Sequence, residues 1–178
     1  MFKKILATIV YAGGIFFLII TKLFLMNLFP SIFTHIDIIM LFFVLCIMRG
    51  ARGGIVWFAF FTYMILDMLT AHAFGIELIA GVLSVLGVYW FFEDVFTNLS
   101  IWTAGILTVF GMVVFRVLYM VLGVLFARIF DIYTFSISTG LLRDAGFEIM
   151  MTAILSVPLY AIVIKMANIW SKERIRYS

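Results

Sequence analysis

Six apolar segments, joined by short polar connectors, run through this chain of 178 residues. They cover about residues 5–28, 33–48, 54–71, 76–92, 101–127 and 149–169. A transmembrane helix needs about 20 mostly apolar residues, and lipid favours helices because all their backbone hydrogen bonds are internal. The sequence therefore predicts an all-α, polytopic membrane protein, with one integral membrane domain over residues 1–178 folded as a six-transmembrane-helix bundle.

The composition supports a membrane protein over a soluble one. Hydrophobic residues make up 66% of the chain and charged residues 12%, whereas soluble domains carry about 25% charged residues. The N-terminus resembles a signal peptide, with two lysines before an apolar run. That run continues to about Phe29, beyond the roughly 7–15 residues of a cleavable apolar region. We therefore expect an uncleaved first span.

Most basic residues fall at the N-terminus, in the second connector and at the C-terminus, which six spans place on one side of the membrane. They are Lys3, Lys4, Arg49, Arg52, Lys172, Arg174 and Arg176. Cytoplasmic loops of membrane proteins are enriched in Lys and Arg. The distribution predicts that both termini are cytoplasmic.

Five ionisable residues are predicted to lie in the outer half of the membrane when depth is counted along each span at about 1.5 Å per residue. They are Lys22, Asp37, Asp67, Glu77 and Arg116. Charges in hydrocarbon are costly, so they are generally paired or functional. We predict that Asp67 pairs with Arg116 or Lys22 across helices, which gives this set a structural or coupling role. A pathway for a proton, ion or solute, and a contact surface for another membrane protein, stay open as alternatives.

The sequence offers little for catalysis or metal binding. His72 lies five residues from both Asp67 and Glu77, whereas ligands on one helix face are spaced by three or four. Nucleophile, phosphate-binding and dinucleotide-binding motifs are absent from the sequence. We expect no enzymatic activity, cofactor, metal or nucleic-acid partner.

The longest connector, about residues 128–148, has two interpretations. One is a short amphipathic helix on the outer surface, since Leu141, Leu142, Ala145 and Ile149 can share one helical face. The other is an irregular loop with a few buried leucines.

The stretch ILDMLTAHAFGIELIA, residues 65–80, carries a resemblance to a known family. Leu66 and Asp67 end one span, and Phe74 and Gly75 precede the next. Upstream, HIDIIMLFFVL places Asp37 at the start of the second span, and RGARGG precedes the third. These features, over about residues 30–110, resemble the MreD family of rod shape-determining membrane proteins. Ile36 departs from the family pattern, which usually has proline there.

The resemblance implies a non-enzymatic scaffold of the bacterial elongation machinery (the elongasome) in the cytoplasmic (inner) membrane, involved in cell shape and lateral peptidoglycan synthesis. The implied partners are an MreC-like bitopic protein and, through it, an MreB-like actin and a RodA-type glycosyltransferase with its transpeptidase. The implied fold resembles the substrate-binding subunit of energy-coupling-factor transporters. The alternative function is therefore a small-molecule (vitamin-like) binding subunit of a transporter. Ala7 and Ala12, five residues apart, do not fit the Ala-x-x-x-Ala contact face of such subunits, which favours the scaffold.

Overall fold

The described part of the chain is entirely helical. The computed structural model describes residues 2–28, 35–50, 54–70, 74–95, 100–130 and 138–176. These residues form α1 (Phe2–Leu28), α2 (Ile38–Met48), α3 (Gly54–Leu69), α4 (Ile76–Val95), α5 (Ile101–Phe130) and α6 (Thr139–Arg176), and they contain no strand. The all-α prediction is confirmed, and each of the six apolar segments corresponds to one helix.

Three of the described helical segments are long and apolar enough to cross a membrane, which is consistent with a multi-pass membrane protein. They are Ile76–Val95 in α4, Trp102–Ile129 in α5 and Thr139–Lys165 in α6. Three further apolar segments are shorter: Gly13–Leu25, Ile38–Met48 and Gly54–Leu69. At 1.5 Å per residue, α2 is only about 16 Å long, roughly half the thickness of the hydrocarbon core.

The short helix α2 forms the centre of the bundle. It packs against all five other helices, and Met40 and Phe43 are fully buried. Its eleven residues, IIMLFFVLCIM, include no polar side chain apart from one cysteine. A helix that is hydrophobic on every face is a buried helix. It ends at Met48. Gly50, just after the C-cap Arg49, adopts a φ of +83° and donates its N–H to the Ile47 carbonyl at 2.9 Å, as glycines that terminate helices commonly do.

An aromatic layer joins α2, α3 and α5. The Tyr63 ring of α3 stacks between Phe43 and Phe115, with centroid separations of 6.1 and 6.0 Å. On α4, Gly81 lies directly against this ring: a β-carbon added at Gly81 would overlap the Tyr63 ring carbons. The missing side chain at Gly81 is therefore what lets α4 approach α3 over a fully buried tyrosine.

Helix α6 differs from both interpretations of the long connector. The helix is continuous from Thr139, so the expected sixth span at 149–169 begins ten residues earlier. Ser138 starts it, since its hydroxyl accepts the Leu141 N–H at 3.2 Å. Ala145 is buried as the amphipathic interpretation expects, but Leu142 is 53% exposed. The proposed surface helix is the first part of one long helix rather than a separate element.

Candidate functional site

Asp67 caps the start of α4. It lies in the last turn of α3 and is 2% exposed. Its side chain accepts the backbone N–H groups of Gly75 and of Glu77, the latter at 3.2 Å. The first N–H groups of a helix have no partner within the helix, and this end of the helix dipole is positive. The N-terminus of α4 therefore compensates the buried charge of Asp67.

The structure does not show the predicted ion pair of Asp67 with Arg116 or Lys22: Arg116 pairs with Glu148, and Asp67 accepts backbone N–H groups. Depth counting placed these side chains at similar heights, but it gave no information about direction around each helix. The partners of Asp67 are not charged side chains but backbone amides eight and ten residues further along the chain.

The other residues of the family motif support the same contact. Gly75 adopts a φ of +104°, a conformation that side-chain-bearing residues rarely adopt, and in it the Gly75 N–H points at Asp67. Leu66 is buried at 3% exposure and anchors the end of α3, whereas Phe74 is 56% exposed. Leu66, Asp67 and Gly75 therefore close the hairpin between α3 and α4.

Asp37 caps the N-terminus of α2, as Asp67 caps that of α4. It is the N-cap of α2, and its Oδ1 accepts the N–H groups of Ile39 at 3.0 Å and Met40 at 3.2 Å. Its own backbone N–H donates to the Thr152 hydroxyl of α6 at 3.0 Å. Asp37 is 3% exposed and Thr152 fully buried. Asp37 thus lies at the start of the helix formed by the second apolar segment, and the cap also ties α2 to α6.

Arg116 pairs with Glu148, which lies in the predicted connector 128–148. The ion pair joins α5 to α6, with the two side chains 25% and 12% exposed. The buried Nε of Arg116 has no hydrogen-bond partner among the described residues. Because α6 begins at Thr139, Glu148 lies in its third turn and faces the bundle.

Glu77 and Lys22 complete the predicted set. Glu77 lies in the first turn of α4, is attracted by Lys22 of α1, and is repelled by Asp37 and Asp67. The fully buried Tyr63 hydroxyl lies in the field of Asp37 and Glu77 and has no hydrogen-bond partner among the described residues. Lys22, Asp37 and Asp67 thus all influence Glu77 electrostatically, whereas Arg116 lies in a separate pair.

The sequence analysis missed the polar face of α6. Glu148, Thr152 and Ser156 are spaced by four residues and are all buried, with exposures of 9%, 0% and 0%. Residues four apart share one helix face, so this spacing could have revealed them. The misplaced start of α6 hid the pattern, because Glu148 was counted as part of the connector.

A charge exchange would test the Arg116–Glu148 pair. We expect Glu148→Gln to lower the free energy of unfolding by about 3 kcal/mol, because it leaves a partly buried guanidinium without its counter-charge. The double variant Arg116→Glu/Glu148→Arg should recover part of that loss in an SDS unfolding titration. The exposed Arg128→Gln on α5 serves as control. Additive losses in the double variant would contradict the pairing.

Two recesses lie elsewhere on the described surface. A groove of about 620 Å³ between α4, α5 and α6 is lined by apolar side chains that include Phe91, Trp102 and Ile154. A polar pocket of about 370 Å³ is lined by His35, Gly140, Arg143, Asp144 and Phe147. No group of three or more His, Cys, Asp or Glu side chains that could hold a metal occurs among the described residues. His72 lies outside them.

Comparisons with known proteins leave the chain without an assigned family. A scan against protein-family models gives no match, and neither do searches of curated proteins and of solved structures.

Proposed function

We propose that this chain is a non-enzymatic scaffold of the bacterial elongation machinery, similar to MreD, which binds an MreC-like bitopic partner in the cytoplasmic membrane. In this proposal six helices span the membrane, both termini are cytoplasmic, and the bundle resembles an energy-coupling-factor substrate-binding subunit. Through its partner the scaffold acts with an MreB-like actin and a RodA-type glycosyltransferase and transpeptidase in lateral peptidoglycan synthesis.

The observation that carries the proposal is the contact of Asp67 with the start of α4. Leu66, Asp67 and Gly75 are motif residues on which the resemblance rests, and all three close the α3–α4 hairpin. Asp37, the acidic residue of the second motif, caps α2. Both motif carboxylates thus fix helix ends. A docking surface of constant shape needs fixed helix ends, which favours a scaffold.

Depletion of the protein in its native host tests the function directly. We expect depleted cells to lose rod shape and to incorporate a fluorescent cell-wall precursor less along the lateral wall. Uptake of vitamins, measured in the same cultures, should stay at the level of undepleted cells. Cells that stay rod-shaped while uptake of a vitamin collapses would overturn the scaffold and favour the transporter subunit.

Complementation of the depleted cells connects the function to the motif. A copy carrying Asp67→Ala should fail to restore rods, because the hairpin that carries the motif is no longer closed. A copy carrying Asp94→Asn, at an exposed position of α4, should restore them. Membrane levels of both copies need to be compared by immunoblot, and capture of the bitopic partner should follow the same order.

A further inference from the structure

The polar pocket of about 370 Å³ lies where α2 and α6 begin. His35 precedes the N-cap of α2, and the other lining residues, Gly140, Arg143, Asp144 and Phe147, belong to the first turns of α6. The imidazole of His35 is held edge-on to the Phe147 ring, with the centroids 5.1 Å apart. The pocket is therefore built by two elements that begin at the same end of the bundle.

The length of α6 places this pocket at the level of lipid headgroups. The apolar segment Thr139–Lys165 has 27 residues and is about 40 Å long, about 10 Å more than the hydrocarbon core. If it is centred, each end projects about 5 Å beyond the core, and Arg143 lies about 6 Å from Thr139. The guanidinium is thus at the boundary where phosphates lie, and Phe147 is one turn deeper.

The charges of the pocket are complementary to those of a zwitterionic headgroup, which carries a phosphate and an ammonium. Arg143 and Asp144 are adjacent, both are exposed, and neither forms an ion pair with a described residue. A guanidinium binds phosphate oxygens through several N–H groups, and a carboxylate accepts hydrogen bonds from a primary ammonium. The His35 imidazole can offer a second donor to the phosphate.

We propose that this pocket binds the headgroup of a phosphatidylethanolamine-type phospholipid. Arg143 and His35 hold the phosphodiester, Asp144 holds the primary ammonium, and the Phe147 ring packs beneath the headgroup. A phosphatidylglycerol headgroup has no ammonium for Asp144. A phosphatidylcholine headgroup has a quaternary ammonium that donates no hydrogen bond. The inference does not rest on the scaffold proposal, since it requires only that α6 cross a membrane.

Native mass spectrometry of the full chain, released from micelles with equimolar phosphatidylethanolamine, phosphatidylcholine and phosphatidylglycerol, tests it. We expect phosphatidylethanolamine to dominate the bound lipid. Arg143→Gln should weaken its binding about tenfold, the equivalent of one charge-assisted hydrogen bond. Asp144→Asn should remove the preference for phosphatidylethanolamine over phosphatidylcholine. The control Arg128→Gln, an exposed arginine near the end of α5, should change neither.

Three results would overturn the proposal. The first is equal binding by Arg143→Gln and Arg128→Gln. The second is an unchanged lipid preference in Asp144→Asn. The third is binding of soluble glycerophosphoethanolamine as tight as that of the lipid, which would make the ligand a soluble phosphodiester. The unfolding midpoint of each variant, measured in the same micelles, ensures that only folded proteins are compared.

Discussion

Replacing Asp67 by alanine is expected to lower the free energy of unfolding by about 3 kcal/mol, because two backbone N–H groups at the start of α4 lose a charged acceptor. Those groups lie beside a carboxylate that is 2% exposed, so little water is available to replace it. Asp67→Asn should cost about half as much, since an amide oxygen can still accept one of the two N–H groups while its NH₂ faces the other. An SDS unfolding titration of the purified protein measures both.

Asp94→Asn is the matched control, because it removes an exposed carboxylate from the far end of the same helix. We expect a change within about 0.5 kcal/mol for this variant. Equal stability of the Asp67→Ala variant and the Asp94→Asn variant would show that the cap contributes nothing. A larger loss for Asp67→Asn than for Asp67→Ala would also contradict the capping role.

Gly81→Ala is the second change with a large expected effect. The added methyl group would overlap the Tyr63 ring, which cannot move aside because it is stacked between Phe43 and Phe115. Overpacking of this kind costs about 3 kcal/mol. We expect a lower unfolding midpoint in SDS and a changed near-ultraviolet circular dichroism spectrum, because the surroundings of the tyrosine change.

Gly87→Ala provides the comparison on the same helix. A β-carbon there would meet the Phe110 ring at 3.8 Å, an ordinary van der Waals contact. Both substitutions gain the same helix propensity, about 1 kcal/mol, so their difference reports the overlap with Tyr63 alone. If the two variants unfold at the same SDS concentration, the close approach of α4 to α3 is not needed for stability.

The sequence predicts the helices well and their ends less well. Apolar length and the short connectors suffice to predict all six helices, and Asp37 and Glu77 indicate where α2 and α4 begin. The start of α6 is missed by ten residues because 139–148 includes Arg143, Asp144 and Glu148 and does not read as a span. The helix nevertheless continues through them, because Arg143 and Asp144 are exposed and can be solvated where the helix leaves the hydrocarbon, and the buried Glu148 is paired with Arg116.

The pairing of the charges was beyond what the sequence could predict. A count along a helix gives depth, whereas a contact also depends on rotation about the axis and on which helices are neighbours. Arg116 is a neighbour of Glu148 because α5 packs along α6. The predicted partners of Asp67 are side chains, whereas its partners in the structure are backbone N–H groups. Such donors are exposed at every helix N-terminus, and the identity of the residues there does not indicate them.

The central position of α2 has a consequence for biogenesis. Residues 38–48 leave the ribosome before α4, α5 and α6, against which they pack. Lipid solvates apolar side chains well, so it could surround the Leu, Phe and Ile side chains of α2 at little cost in free energy until the later helices are made. At about 16 Å, α2 is shorter than the hydrocarbon core is thick, so in a bilayer it would be mismatched until longer neighbours surround it. We therefore expect α2 to reach its packed position only after α4, α5 and α6 have been made, and the first three helices alone to be less stable than the complete bundle.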